Sequence, residues 1–244
     1  MVKKRQKIRK MLLIISFLLF PATFYYLSPY LIINGTTKGI ISGSFIFFAL
    51  LFLSSLFLGR AYCGWVCPAG GIQDIIMQVN DKKPKGNLVK WFIWIPWIAT
   101  IILCAIRAGG YKEIDPLYQT TYGFSIGNVF ALFTYLLVLS IIVIPAFIFG
   151  RRSSCHSICW MAPFMIIGRK IRNIVRLPSL QLISIPENCT KCHTCSTNCP
   201  MSLTVEEMVQ LNKLENSECI LCGTCVDGCK SKAIDFDFST RGNN

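Results

Sequence analysis

Eight cysteines near the carboxyl end of the chain fall into two runs with the same spacing. The segments CTKCHTCSTNCP and CILCGTCVDGCK both follow the pattern C-x2-C-x2-C-x3-C. In this pattern three closely spaced thiolates hold one 4Fe-4S cluster, while the fourth thiolate reaches the neighbouring cluster. The predicted ligand sets are therefore Cys189, Cys192, Cys195 and Cys229 for one cluster, and Cys219, Cys222, Cys225 and Cys199 for the other.

Zinc is the main alternative for these runs, because zinc also binds closely spaced cysteine pairs. A third cysteine at the same short spacing has no function in a tetrahedral zinc site. The spacing therefore favours iron–sulfur clusters over zinc, and it favours both over disulfides.

Four further cysteines form two pairs, each at the end of a long apolar stretch. Cys63 and Cys67 lie in GRAYCGWVCPAGG, and Cys155 and Cys159 lie in RRSSCHSICWMAP. We favour a third 4Fe-4S cluster held by these four thiols together. Two redox-active dithiols, a metal-handling site and inert buried thiols are the alternatives that the sequence leaves open.

The two pairs belong to an internal repeat. The second pair follows the first by 92 residues, and the same shift relates Arg60 to Arg152. Each repeat thus consists of two apolar stretches, an arginine, a cysteine pair and an amphipathic segment, the latter covering residues 71–79 and 164–177. We expect these segments to lie at the inner membrane interface or to form ordinary connecting helices. The repeat predicts that both pairs lie on one side of the membrane and face each other.

Four apolar stretches are long enough to cross a bilayer, which takes about 20 residues. They cover residues 11–34, 39–59, 89–109 and 127–150. Lys and Arg are concentrated in the N-terminal arm and in the loops that follow the second and fourth stretches. The opposite loops hold only Lys38, Arg107 and Lys112. The positive-inside rule therefore predicts a multi-pass protein with both termini in the cytoplasm.

The formal net charge of +13 does not indicate a nucleic-acid-binding protein. From Pro186 onward eight acidic residues outnumber five basic ones, so the excess positive charge lies earlier in the chain, beside the apolar stretches. That distribution is typical of membrane orientation. The sequence therefore predicts membrane lipid as a partner and no nucleic acid.

These observations predict an α-helical membrane protein with a small second domain. Residues 1–180 form four transmembrane helices arranged as two repeated hairpins, with C-x3-C motifs at 63–67 and 155–159. Residues 181–244 form an α+β ferredoxin-like domain that holds two 4Fe-4S clusters, on the cytoplasmic side.

Four predicted spans, two C-x3-C motifs and a two-cluster ferredoxin segment together resemble the NapH-type ferredoxin-like membrane proteins. These proteins are linked to quinol oxidation for periplasmic nitrate reductase, and relatives occur in nitrous oxide, methylamine and cytochrome oxidase assembly systems. The resemblance covers nearly the whole chain and implies a prokaryotic cytoplasmic membrane, with a quinone such as menaquinone as a further ligand. Trp160 and Lys230 depart from it, because the family has proline after the second pair and after Cys229.

The resulting hypothesis is an electron-transfer subunit of a quinol dehydrogenase-type complex. It would join the quinone pool to a partner reductase, cytochrome or other ferredoxin. An assembly or maturation factor that supplies electrons or metal to a metalloenzyme, and a redox sensor, are the alternatives. No catalytic residue is predicted. Asp74, Glu113 and Asp115 are candidate proton acceptors for quinol oxidation, although such residues are more often simply solvated.

Overall fold

The computed structural model describes residues 4–84, 86, 88–120, 123–127 and 129–240. In these residues the chain is mainly helical, with two small sheets of two strands each. The N-terminal elements are α1 (Lys4–Leu18), α2 (Phe20–Thr23), a 3-10 turn (Phe24–Leu27), α3 (Pro29–Thr37), β1 (Ile40–Ser42), α4 (Gly43–Leu58), α5 (Ala61–Trp65) and α6 (Pro68–Ile76). The central elements are α7 (Val89–Arg107), β2 (Glu113–Asp115), α8 (Val129–Phe149), α9 (Ser153–Ser157) and α10 (Ala162–Val175). The C-terminal elements are β3 (Ser179–Ser184), a 3-10 turn (Pro186–Asn188), α11 (Thr194–Thr197), α12 (Val205–Gln210), α13 (Thr224–Gly228) and β4 (Ile234–Ser239).

Two of these helices are long and apolar enough to cross a membrane. α7 has 19 residues and α8 has 21, and Pro96 and Pro145 lie inside them without ending either helix. α4 is also apolar, but its 16 residues fall short of the about 20 that a bilayer takes. The third and fourth predicted stretches are therefore single helices, whereas the second is a short strand followed by a shorter helix.

The first predicted stretch, residues 11–34, is not one helix. α1 ends at Leu18, and the segment Phe20–Leu27 is bent by 59° from it. Pro21 lies in the first turn of α2 and Pro29 begins α3, and proline lacks the N–H that would continue a preceding helix. The prediction of four spans is thus not confirmed. The described residues contain two candidate spans, or three if the bent pair is counted as one.

The two cysteine pairs lie in equivalent local structures. α5 and α6 follow α4 in the first repeat, as α9 and α10 follow α8 in the second. The N–H of Cys67 donates to the carbonyl of Tyr62 at 2.9 Å, and the N–H of Cys159 donates to that of Ser154 at 3.0 Å. Because these hydrogen bonds are also related by the 92-residue shift, the repeat predicted from a few side chains extends to the backbone.

Small residues let α4 and α10 cross closely. A β-carbon at Gly168 of α10 would overlap Oγ of Ser55 and lie 3.0 Å from the carbonyl oxygen of Phe52. Close approach through glycine and serine is a common way for helices to pack in membranes. This crossing holds the second repeat against the first.

The C-terminal segment is enclosed by an antiparallel pair of strands. β3 pairs with β4 from Ser179 opposite Ser239 to Ser184 opposite Ile234, and α11, α12 and α13 lie between the two strands in the sequence. β3 extends across the predicted boundary between residues 180 and 181. The mixture of short helices and strands agrees with the predicted α+β ferredoxin-like domain.

The basic face of α10 is turned toward this domain. Arg169 pairs with Glu215 and donates to the carbonyl of Leu180 at 2.9 Å. Arg172 donates to the carbonyl of Ser239 at 2.7 Å, and both arginines are buried. The amphipathic segment predicted for the membrane interface therefore uses these two arginines to hold the ferredoxin-like domain.

Candidate iron–sulfur sites

The structure brings the two C-x3-C pairs together. Cys63, Cys67, Cys155 and Cys159, here called the membrane-edge cysteines, line a single cavity. The first three are 3%, 3% and 4% exposed. The rest of the wall is mostly apolar and includes Phe20, Phe24, Leu27, Val138, Ile142, Trp160 and Met161. Four thiols, two from each repeat, thus line one cavity.

Backbone turns place these thiols. Arg152, directly before α9, has a left-handed conformation with φ 37°. Cys67 is extended, with φ −64° and ψ 120°, which agrees with the steric restriction that Pro68 imposes on the preceding residue. Trp160, which departs from the family pattern, lies in the cavity wall and donates its indole N–H to the carbonyl of Leu27 at 3.1 Å.

Gln73 of α6 connects the two repeats beside the cavity. Its Nε2 donates to Sγ of Cys155 at 3.3 Å, and its Oε1 accepts from the N–H of Ser154 at 3.1 Å. On the other side, Sδ of Met165 lies 3.9 Å from Sγ of Cys63. Neither Gln73 nor Met165 was predicted as a site residue, because a single polar or apolar residue in an amphipathic segment carries no motif.

Burial raises the pKa of three membrane-edge thiols, those of Cys67, Cys155 and Cys159. It raises the pKa of Cys155 and raises the pKa of Cys159 to about 12, although Arg60 opposes both shifts. Burial also raises the pKa of Cys67 well above its usual value. Such thiols are protonated at neutral pH and are poor nucleophiles. A metal that binds them as thiolates must displace their protons.

Asp74, one of the candidate proton acceptors, lies between two arginines. Its Oδ1 accepts from Nε of Arg152 at 2.6 Å, and its Oδ2 accepts from Nη1 of Arg9 at 2.8 Å. Burial would raise the pKa of Asp74, but the two guanidinium groups outweigh it and the pKa is lowered. The carboxylate is therefore held ionised, which suits a structural ion pair better than proton transfer. Glu113 and Asp115 lie in β2, which pairs with β1.

Glu218, which precedes the predicted ligand Cys219, is a second carboxylate that pairs with two cations. Its Oε2 accepts from Nη1 of Arg60 at 2.6 Å, and its Oε1 accepts from Nζ of Lys90 at 2.5 Å. Both cations are buried, with exposures of 1% and 0%. The ion pairs therefore connect the start of α5 and the start of α7 to the ferredoxin-like domain.

The second predicted ligand set of the C-terminal segment also lines one cavity. Cys199, Cys219, Cys222 and Cys225 contribute to its wall. Cys199, Cys222 and Cys225 are buried, and the remaining lining is largely apolar. Four thiols from two separate runs of the sequence therefore line one cavity.

The first predicted set lies nearer the protein surface. Cys195 is part of α11 and Cys229 follows α13, and these two helices pack against each other. Cys192 is exposed, and Cys189, Cys195 and Cys229 are partly exposed. This set therefore faces outward from the ferredoxin-like domain.

Helix α5, which carries Cys63, lies directly against the loop that carries the second set. Nε1 of Trp65 donates to the carbonyl of Leu221 at 3.0 Å. Nε2 of Gln6 in α1 donates to the carbonyl of Cys222, also at 3.0 Å. Gly64, between Cys63 and Cys67, packs against the same loop. The three cysteine groups are therefore arranged in the order membrane-edge, second set, first set.

All three groups fit iron–sulfur clusters by their chemistry, since each supplies four thiols, the ligands on which such clusters are built. In the part of the chain that the structure describes, no three Cys, His, Asp or Glu side chains converge as a single metal ion would require. Thiolates around a four-iron cluster bind at its separate corners rather than at one shared ion.

Comparison with known proteins agrees with these sites. A 4Fe-4S binding domain matches residues 42–86 and 130–178, so each matched segment contains one C-x3-C pair. A 4Fe-4S dicluster domain matches residues 188–234, which contain the eight C-terminal cysteines. No solved structure gives a significant match to this chain.

Several curated proteins are similar over most of the chain. MJ0750 of Methanocaldococcus jannaschii, itself uncharacterised, is 26% identical over 76% of this chain and 75% of its own length. The ferredoxin-type protein NapH of Haemophilus influenzae is 25% identical over 79% of this chain and 67% of its own. The methylamine utilization ferredoxin-type protein MauN of Methylorubrum extorquens is 25% identical over 58% and 47%, respectively. The resemblance to NapH-type ferredoxin-like proteins, first suggested by the cysteine motifs, is thereby confirmed.

Proposed function

We propose that this protein is a membrane-bound electron-transfer protein that holds three 4Fe-4S clusters and connects the quinone pool to a partner reductase. The membrane-edge cysteines hold one cluster. The second cluster is bound by Cys199, Cys219, Cys222 and Cys225. The third cluster is bound by Cys189, Cys192, Cys195 and Cys229. Clusters of this kind transfer single electrons. The observation that carries the proposal is the direct contact between α5, which carries Cys63, and the loop that bears Cys222.

The state of the membrane-edge thiols supports a cluster over a reactive dithiol. A redox-active thiol needs a lowered pKa and access to a partner, whereas burial raises the pKa of Cys67 and Cys155. An inert packing role is also a poor explanation, because four thiols from two repeats line one cavity. Soft thiolate ligands in an apolar wall suit an iron–sulfur cluster.

The arrangement of the three groups supports a path from membrane to surface. The membrane-edge group lies beside α8 and the bent N-terminal helices, the second group lies at the junction, and the first group includes the exposed Cys192. The partner protein therefore docks near Cys192. We assign no residue to quinone binding, since Asp74 is already engaged with two arginines.

For the membrane topology we propose that both termini and the ferredoxin-like domain lie in the cytoplasm. The distribution of Lys and Arg supports this orientation. The cavity that both cysteine pairs line also supports it, because the two pairs then lie on one side of the membrane, together with the C-terminal domain that packs against α5.

Iron and labile sulfide content test the cluster assignment. Anaerobically purified protein should contain about twelve irons per chain, and Cys155→Ser should contain about eight. Cys104→Ser is the matched control, because Cys104 lies within α7, and it should keep about twelve. A wild-type value of about eight, unchanged by Cys155→Ser, contradicts a cluster at the membrane edge.

Reduction by a menaquinol analogue tests the proposed donor. Mixing it anaerobically with the purified protein should bleach the cluster absorbance. If dithionite reduces the clusters but the quinol does not, the connection to the quinone pool is wrong. Metal-free partner enzyme in a deletion strain would then favour the assembly function.

A further inference from the structure

Two arginines at equivalent positions of the repeat are buried next to the membrane-edge cysteines. Arg60 and Arg152 each lie three residues before the first cysteine of a pair, and they are 1% and 0% exposed. From sequence they count only toward the positive-inside bias, which concerns charge near the membrane surface. The positive-inside bias does not explain why these two arginines are buried. A buried charge is costly unless it is paired.

Each arginine belongs to a triad with one carboxylate and a second cation. Arg152 shares Asp74 with Arg9, at 2.6 and 2.8 Å. Arg60 shares Glu218 with Lys90, at 2.6 and 2.5 Å. Since two cations share one carboxylate, each triad retains one positive charge.

The guanidinium groups also keep unused donors. Nε and Nη2 of Arg60, and Nη2 of Arg152, are buried and have no hydrogen-bond partner among the described residues. Buried donors without an acceptor are costly, and more so when they carry charge. The two triads together therefore have both an excess of positive charge and donors available for an anion.

The neighbours of these groups include the membrane-edge cysteines. Nη1 of Arg152 donates to the carbonyl of Cys63 at 2.7 Å, and its charge acts on the thiol of Cys155. The carbonyl of Arg60 accepts from the N–H of Cys63 at 3.0 Å, and the charge of Arg60 acts on the thiols of Cys63 and Cys159. An oxidised 4Fe-4S cluster with its four thiolates carries about two negative charges, which matches the excess of the two triads.

We propose that Arg60 and Arg152 form a cationic pair, one from each repeat, that neutralises the cluster of the membrane-edge cysteines and raises its reduction potential. This inference rests on the proposed cluster at that site. Reduction adds one electron from an external donor and makes the cluster more negative by one charge, so buried positive charge favours the reduced form. The two arginines are positioning residues for the cluster and not its ligands.

The test is an EPR-monitored potentiometric titration of the full-length protein. Arg152→Gln should lower the midpoint potential of the membrane-edge cluster by about 59 mV. For one electron this corresponds to a tenfold smaller equilibrium constant for reduction. Arg152→Lys, which keeps the charge, should shift it much less. Asp74→Asn should raise it, because Arg9 and Arg152 both stay protonated and lose their counter-charge.

The opposite signs separate an electrostatic effect from a structural one. If the substitutions only disturbed packing, both Arg152→Gln and Asp74→Asn would lower the cluster occupancy. Their midpoint potentials would then not shift in opposite directions. Lys170→Gln is the charge control, since it removes one positive charge from an exposed position of α10, where solvent screens it. It should leave the potential unchanged.

Two outcomes are distinct. If the iron content of the wild-type protein shows no membrane-edge cluster, the proposed function is wrong. The cationic pair then has no cluster to neutralise and is refuted with it. If the cluster is present but Arg152→Gln and Asp74→Asn shift its potential in the same direction, or not at all, the cationic pair is refuted and the proposed function stands.

Discussion

Gly64 packs so closely against Ile220 that a β-carbon at residue 64 would overlap the carbonyl oxygen of Ile220. The same β-carbon would lie 3.5 Å from the α-carbon of Cys222. Gly64 lies between the two cysteines of the first pair, and Cys222 lies in the second predicted cluster set. Two cysteine groups that are far apart in sequence are therefore held together at a point where only glycine fits.

Gly64→Ala should separate the two groups. The added methyl group meets backbone atoms, which cannot move aside as a side chain can, so the ferredoxin-like domain must shift. We expect iron content to be preserved but the magnetic interaction between the reduced clusters to weaken in EPR spectra. Gly228→Ala is the matched control, because its β-carbon meets only Cγ2 of Thr194, at 3.9 Å. Unchanged EPR coupling in Gly64→Ala would show that this contact does not set the spacing of the groups.

Gln73→Leu should weaken the membrane-edge site. The substitution removes the hydrogen bonds to Sγ of Cys155 and to the N–H of Ser154, a loss of about 1–3 kcal/mol for the buried N–H. Hydrogen bonds to cluster sulfur atoms also raise the reduction potential. We expect faster loss of iron to a chelator and a lower potential. Gln78→Leu, at an exposed position after α6, should behave as wild type. Equal iron loss from both variants would contradict a role for Gln73.

Arg169→Met should loosen the ferredoxin-like domain in a pH-dependent way. Burial would raise the pKa of Glu215, but Arg169 outweighs it and the pKa is lowered. The pair therefore stabilises the docked domain above the ordinary glutamate pKa of about 4.3, and this contribution is lost as the pH falls through the lowered value. At neutral pH we expect a loss of about 1–3 kcal/mol.

Hydrogen–deuterium exchange of β3 and β4 measures this effect. Exchange in Arg169→Met should be faster than in wild type at pH 7, and the difference should shrink below about pH 4. Lys170→Met changes the adjacent exposed position of α10 and is the control. A difference that stays constant across this range would show that the ion pair with Glu215 is not responsible.

Gly168→Ala should destabilise the crossing of α4 and α10. Its β-carbon would overlap Oγ of Ser55, and overpacking of this kind costs about 1–3 kcal/mol. We expect a lower midpoint of thermal unfolding in detergent. Ser55→Ala removes the overlapping oxygen and should restore part of the loss in the double variant. Without any such rescue, the crossing is not limited by this contact.

The sequence alone determined the features that depend on short-range spacing. The two C-x2-C-x2-C-x3-C runs indicated two groups of four thiols, and the 92-residue shift from Cys63 to Cys155 indicated a repeat. The third and fourth apolar stretches are the helices α7 and α8. These features can be read locally, because ligand spacing and helix length follow from the geometry of a few neighbouring residues.

The sequence was less informative where proline and packing compete with hydrophobicity. The first apolar stretch bends by 59° between α1 and the segment Phe20–Leu27. Hydropathy measures transfer into lipid and does not register the N–H that Pro21 lacks. Likewise, the basic residues of α10 fit an interfacial helix by pattern, yet Arg169 and Arg172 contact the C-terminal domain.

Contacts between residues far apart in the sequence cannot be read from any local pattern. From sequence Asp74 is a candidate proton acceptor, but in the structure Arg9 and Arg152 both pair with its carboxylate. The contact of Gly64 with the loop carrying Cys222 joins segments separated by more than half of the chain. Such contacts depend on how whole helices and the C-terminal domain pack against each other. No local pattern of residue types specifies that packing, so the order of the cysteine groups became visible only in the folded chain.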